Sequence, residues 1–137
     1  MNSVSMERNE LASRLVVVVE DEVIIREFVC EILKDEGYQT VGFETADAAV
    51  PFLHERAPDI GLLLTDILMP GELNGADLSN LVHAHWPELP ILIMSGHETP
   101  ESSGVTCEVA FLRKPWTIGQ MLQGVEDALQ YAQARAH

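Results

Sequence analysis

Leu15-Val16-Val17-Val18-Val19 is an unbroken aliphatic run, β-branched after its first residue, with no polar side chain to give it a wet face. A strand half open to water alternates apolar and polar residues. A continuous run needs cover on both faces, and a parallel sheet flanked by helices provides it. Similar runs recur at Ile60-Gly61-Leu62-Leu63-Leu64, Ile91-Leu92-Ile93-Met94 and Val109-Ala110-Phe111-Leu112, while Thr40-Val41-Gly42-Phe43 is more mixed and suits an edge strand. Helical spacing fills the intervals. Ile25, Phe28, Val29, Ile32 and Leu33 share one face, with Gly37 as a stop; Leu78, Leu81, Val82 and His85 repeat the spacing before Trp86-Pro87; Ile118, Met121, Leu122, Val125 and Leu129 do so near the C-terminus. Thr45 can cap a further helix, but Pro51 falls inside it. An interior proline costs about 3 kcal/mol, so that helix is expected to start late or to kink. The connection from Met94 to Val109 holds Pro100, Ser102, Ser103 and Gly104, all poor helix formers, so the fourth helix is expected to be short, distorted or mobile. The pattern is α/β: five strands alternating with up to five helices in a parallel sheet wound on both sides.

The 137 residues, 47% of them hydrophobic, fit one domain with its own core and no second. It is expected over 15–131, after a flexible polar extension at 1–14 and before a tail at 132–137. With 8 basic and 22 acidic residues the net charge is −14. Such a chain repels phosphate backbones and anionic lipid, which argues against nucleic-acid and membrane binding and favours cations or basic partners. Cys30 and Cys107 show no metal spacing and read as reduced thiols. No segment has the length of a membrane span or the apolar centre of a signal peptide, so a cytoplasmic location is expected.

In an open parallel sheet, ligands bind beyond the carboxyl ends of the strands. The residues just past each apolar run are Glu20-Asp21-Glu22, Thr65-Asp66, Ser95-Gly96 and Arg113-Lys114-Pro115. Each has an ordinary explanation alone. Glu20 and Asp21 suit a helix start, Asp66 a turn, Ser95 a loop or cap, Lys114 a solvated surface and Phe111 the core. Together they are harder to explain. Two like charges roughly 5 Å apart at an effective dielectric of about 20 repel by about 3 kcal/mol, so a cluster of acids calls for a counter-ion. Magnesium takes one or two carboxylates and keeps several waters, and Lys114 can meet an anion. A carboxylate nucleophile, a divalent cation and a lysine are the parts of a phosphoryl-transfer site.

These residues resemble the receiver domains of two-component response regulators. The resemblance rests on Glu20-Asp21, on Asp66-Ile67-Leu68-Met69-Pro70 with Asn74-Gly75, on Ser95-Gly96, and on Phe111-Leu112-Arg113-Lys114-Pro115, over residues 15 to 130. It implies a flavodoxin-like fold with strand order 2-1-3-4-5. It further implies Asp66 as phosphoacceptor, served by a histidine kinase or histidine phosphotransfer protein, and Mg²⁺ held by Asp21, Asp66 and the backbone carbonyl of Leu68, with Glu20 acting largely through water. Ser95, Gly96 and Lys114 would meet the phosphoryl group, Ser95 and Phe111 would switch together, and Pro115 would follow a cis peptide bond. Such a protein is no enzyme beyond its own phosphotransfer and dephosphorylation. It signals by conformational change and protein contact, or serves as a phosphate shuttle or sink.

Three features depart from the common pattern. The loop Met69 to Gly75 is slightly expanded, of a kind seen in receivers related to those on hybrid kinases. The crossover from Ser95 to Phe111 is helix-poor, which puts the usual output surface in doubt. Trp116 stands where phenylalanine is usual. The absence of an output domain after the last helix suggests a stand-alone receiver, with a segment of a hybrid kinase as the alternative. Other readings are a pseudo-receiver that takes no phosphate, a flavin carrier, or an aspartyl phosphohydrolase. Glu20-Asp21-Glu22 would repel a flavin phosphate, and Leu68 stands where a hydrolase places its second acid. The resemblance places His97 and Leu68 beside the phosphoryl position, although His97 reads equally well as an ordinary exposed loop histidine. Leu68 has no polar atom to orient water, so slow self-hydrolysis of an aspartyl phosphate is expected.

Overall fold

The computed structural model describes residues 15–68, 71–96, 102–107 and 109–136. The elements in chain order are β1 (Leu15–Val19), α1 (Val23–Asp35), β2 (Gln39–Phe43), α2 (Ala46–Arg56), a 3-10 turn (Ala57–Asp59), β3 (Ile60–Asp66), α3 (Gly75–His85), β4 (Ile91–Ser95), β5 (Ala110–Arg113) and α4 (Ile118–Ala136). All strand pairs are parallel, and the sheet order is β2-β1-β3-β4-β5. β2 lies at one edge, as its mixed sequence predicts, and β5 at the other.

The continuous apolar runs are divided between two cores by the period-two geometry of a strand. Val17, Val19, Leu63 and Ile93 face one side, where they meet Ala46, Ala49 and Leu53 of α2 and Leu78 and Val82 of α3. Val16, Val18, Leu62, Leu64, Leu92 and Met94 face the other, against Val29, Ile32 and Leu33 of α1 and Met121, Val125 and Leu129 of α4. Each such side chain is worth about 1.5–3 kcal/mol when fully buried. A polar residue at any of these positions would lose that and add an unpaired group.

Helix ends follow local chemistry. After α1 the chain turns at Gly37, where the N–H groups of Gly37 and Tyr38 donate back to the carbonyls of Lys34 and Leu33. The second helix does not start late. Thr45 caps it at once, its hydroxyl accepting from Ala48 N at 3.1 Å, and Pro51 sits in the second turn. Pro51 removes the N–H that would meet the Asp47 carbonyl, and both residues are exposed, so water can serve that carbonyl. The last helix runs on to Ala136, past the point at which a tail was expected.

Among the described residues, the crossover between β4 and β5 contains no helix. Residues 102–107 instead lie along α3. The Asn80 amide donates to Gly104 O at 3.1 Å, and its oxygen accepts from Thr106 N at 2.9 Å and from Thr106 Oγ1 at 3.1 Å. The expected flexible extension at 1–14 lies outside the described residues, as do Met69, Pro70 and His97.

Candidate metal and phosphoryl site

Because every strand is parallel, the residue that ends each run arrives at the same rim. Asp66 and Ser95 are the last residues of β3 and β4, Glu20 follows β1, and Lys114 follows β5. Main-chain bonds extend the ladder to them: Glu20 N donates to Phe43 O at 3.0 Å, Ile67 N to Met94 O at 3.1 Å and Lys114 N to Ser95 O at 2.7 Å. The Lys114–Pro115 peptide bond is cis, as the resemblance implied.

The site is enclosed. Glu20 is 0% exposed, Ser95 2% and Asp66 7%, while Asp21 is half-buried. One carboxylate oxygen from each of Glu20, Asp21 and Asp66 lies within 4.8 Å of the others. Lys114 Nζ stands 2.6 Å from Asp66 Oδ2, a charge-assisted bond, and 3.6 Å from Glu20 Oε1, an ion pair too long for a hydrogen bond. Glu20 Oε2 accepts from Glu22 N at 3.1 Å, whereas buried Oε1 has no hydrogen-bond partner among the described residues and is met only by the 3.6 Å ion pair to Lys114. A buried oxygen without a hydrogen bond costs free energy, and one long ion pair offsets only part of it.

The electrostatics follow from this packing. Burial pushes the Glu20 carboxyl up to about 7; the Glu22 N–H opposes this, the Asp66 charge adds to it, and Lys114 offsets part. For Lys114, burial alone would lower the pKa, but the bond to Asp66 and the charges of Asp66 and Glu20 hold it above the usual lysine range. With all three carboxylates ionised, the ammonium leaves two negative charges uncompensated. The oxygen-only donor set, the Glu20 oxygen without a hydrogen bond and that residual charge fit a hard dication. It is the one such group of potential ligands among the described residues. Cys30 and Cys107 are free thiols outside it.

Close packing holds the start of α3 against the end of β3. Gly75, the first residue of α3, donates to Ile67 O at 2.9 Å. A Cβ on Gly75 would lie 2.0 Å from Asp66 O and 2.8 Å from Ile67 Cα, so only glycine lets the helix start against the end of β3. Asn74 caps that helix reciprocally with Asp77: Asn74 Oδ1 accepts from Asp77 N at 2.8 Å, and Asp77 Oδ2 from Asn74 N at 3.1 Å.

The other predicted residues fall as follows. Leu68 lies just past Asp66 with a 62% exposed side chain. Gly96 is half-buried, and its carbonyl accepts from Arg113 Nη1 at 3.2 Å. Phe111, in register with Ile93, is half-buried against the core shared with α2 and α3. Trp116 stacks on Phe28 of α1, with centroids 6.2 Å apart and planes 7° apart. Sequence reading missed two residues that shape the site. Arg26 Nη1 donates to Glu20 O at 2.7 Å, its stem crossing the side of β2 where Gly42 has no Cβ. Asp47 accepts from Glu72 N and Leu73 N, both at 3.0 Å. An arginine and an aspartate in the first turns of helices carry no signal of such long-range bonds.

A doubly wound sheet with three carboxylates and a lysine on its carboxyl rim defines a class of α/β protein that can hold a cation and an anion side by side. Residues 16–126 match the response regulator receiver domain, and the chain belongs to that family. The phosphoglycerate transport system transcriptional regulatory protein PgtA of Salmonella typhimurium is 32% identical over 118 residues, 84% of this chain and 28% of that protein. The nitrogen assimilation regulatory protein NtrX of Azorhizobium caulinodans is 30% identical over 124 residues, 88% of this chain and 27% of that protein. The chain thus spans little more than a quarter of the length of these curated relatives. The crystal structure of the receiver domain of NtrX from Brucella abortus is similar with a TM-score of 0.72 at 34% identity, covering 84% of this chain and 98% of that one. Among the described residues no helix is long and apolar enough to cross a membrane.

Proposed function

We propose that this chain is a phosphoacceptor of two-component signalling, acting in the cytoplasm. It takes a phosphoryl group from a histidine kinase or a histidine phosphotransfer protein onto Asp66. The carrying observation is the 2.6 Å contact of Lys114 with Asp66 in an acidic pocket where a buried Glu20 oxygen has no hydrogen-bond partner among the described residues. An Asp66 carboxylate oxygen attacks phosphorus, the phosphorus–nitrogen bond of the phosphohistidine breaks, and the departing imidazole nitrogen takes up a proton. Lys114 is close enough to leave its carboxylate partner for the incoming phosphoryl oxygens. Asp21, Asp66 and the Leu68 carbonyl would hold Mg²⁺, with Glu20 acting through water, and the ion supplies further charge neutralisation at those oxygens. Ser95 and the Gly96 backbone border the phosphoryl position. Phe111 is the switch residue, turning as Ser95 moves, and the result is read by a protein partner or passed on as phosphate. Leu68 has no polar atom to direct water, which supports slow loss of the phosphate.

The test is intact-mass measurement after incubation with Mg²⁺ and a small phosphodonor such as acetyl phosphate. One added phosphoryl group is expected on the wild type and none on Asp66→Asn. Labelling of that variant would place the acceptor elsewhere, and an unlabelled wild type would favour a pseudo-receiver. Phosphotransfer profiling against the histidine kinases of the same cell then finds the donor.

A further inference from the structure

We infer that Asp47 is a positioning residue for the metal site, acting through the loop that follows Asp66. This rests on the metal reading proposed above. An aspartate in the first turn of a helix ordinarily serves its own helix's N–H groups. Asp47 does not. Its Oδ2 accepts from Glu72 N and its Oδ1 from Leu73 N, each at 3.0 Å, across 25 and 26 residues of sequence. Adjacent N–H groups thus grip both oxygens of one carboxylate. The backbone turns toward it at Gly71, where φ is 106° and a Cβ would stand 3.2 Å from Asp47 Oδ2. Past the grip, the chain passes through the Asn74 cap to Gly75, which bonds Ile67 O and packs on the Asp66 carbonyl. Asp47 therefore ties α2 to the segment that fixes the end of β3. Leu68, the proposed carbonyl ligand, directly follows Ile67, whose own carbonyl accepts from Gly75 N at 2.9 Å. Partners that orient a metal's ligands typically change affinity about 10–100-fold when removed.

The experiment is Mg²⁺ titration, by calorimetry, of the wild type, Asp47→Asn, Asp47→Ala and Thr45→Ala, together with amide hydrogen exchange at Glu72 and Leu73. Thr45→Ala weakens the same helix by removing its cap, without touching the loop. Asp47→Ala should raise the dissociation constant about tenfold and speed exchange at both amides. Asp47→Asn, with one acceptor oxygen left, should fall between, and Thr45→Ala should bind as the wild type does. Equal affinity in the wild type and Asp47→Ala overturns the inference while leaving the metal site standing. Unchanged exchange, or an equal loss of affinity in Thr45→Ala, overturns it too. A wild type that binds no Mg²⁺ sinks both readings.

Discussion

Replacing Glu20 with glutamine isolates the electrostatic cost of the acidic pocket. In the metal-free fold, burial foremost holds this carboxyl at about 7 against an ordinary 4.5. The folded protein therefore keeps a proton on Glu20 that the unfolded chain releases. The sign follows: relative to a protein without this carboxyl, stability is intact below pH 4.5 and is lost as pH rises through about 7. A rise from 4.5 to about 7, at roughly 1.4 kcal/mol per pH unit, amounts to about 3 kcal/mol. Burial is the largest part of that cost; the Asp66 charge adds to it, and Lys114, 3.6 Å away, takes some of it back. Glutamine keeps an oxygen for the Glu22 N–H and replaces Oε1, which makes no hydrogen bond among the described residues, with a neutral amide group. Urea or thermal unfolding in EDTA should find Glu20→Gln more stable than the wild type by about 2–3 kcal/mol at pH 8, close to 8 °C in a domain of this size, and nearly equal to it at pH 4.5. Taking the difference between the two proteins at each pH cancels the general repulsion of a chain carrying net −14. A difference that is constant across pH, or a variant less stable than the wild type at pH 8, would refute the reasoning.

Further outcomes follow from the same geometry. Mg²⁺ at ten times its dissociation constant should stabilise the wild type by about 1.4 kcal/mol, and a thermal midpoint unmoved by the ion counts against the site. Lys114→Ala removes the 2.6 Å bond but from a partly exposed side chain, so the metal-free protein should lose about 1–2 kcal/mol, remain folded and show a blunted Trp116 fluorescence response to phosphodonor; a full response contradicts the role given to Lys114. Gly75→Ala must push α3 off the end of β3. It should cost about 3 kcal/mol by urea unfolding and weaken Mg²⁺ binding, and a neutral effect would mean that the close approach to Asp66 does not hold in solution.

What the sequence makes legible depends on how far apart the causes lie. Each buried strand declares itself because both of its faces need cover, so Leu15–Val19 or Ile91–Ser95 can be read without knowing its neighbours. Once the strands are parallel, standing at the end of an apolar run becomes a position on the rim. That is why Glu20, Asp66, Ser95 and Lys114 could be gathered from sequence positions alone. Pro51 misled for the opposite reason. The local rule charges a proline for a lost bond, but the structure leaves the freed Asp47 carbonyl on an exposed turn and keeps the strong Thr45 cap. The β4–β5 crossover was legible only as a poor helix. What it does instead, bonding to Asn80 on α3, spans more than twenty residues and has no local signature.

Asp47 shows the same boundary more sharply. Its place in the first turn of α2 has a sufficient local explanation in the helix dipole, so nothing in the sequence prompts a search for another. Its partners are main-chain N–H groups, which every residue but proline carries, so no side-chain pattern at Glu72 or Leu73 marks them. A site held together by side chains at strand ends can thus be read from a sequence, while the main-chain bonds that hold its loops in place cannot. The graded Asp47 series is informative for this reason: it measures how much of the metal affinity belongs to the ligands and how much to a backbone grip that only the folded chain creates.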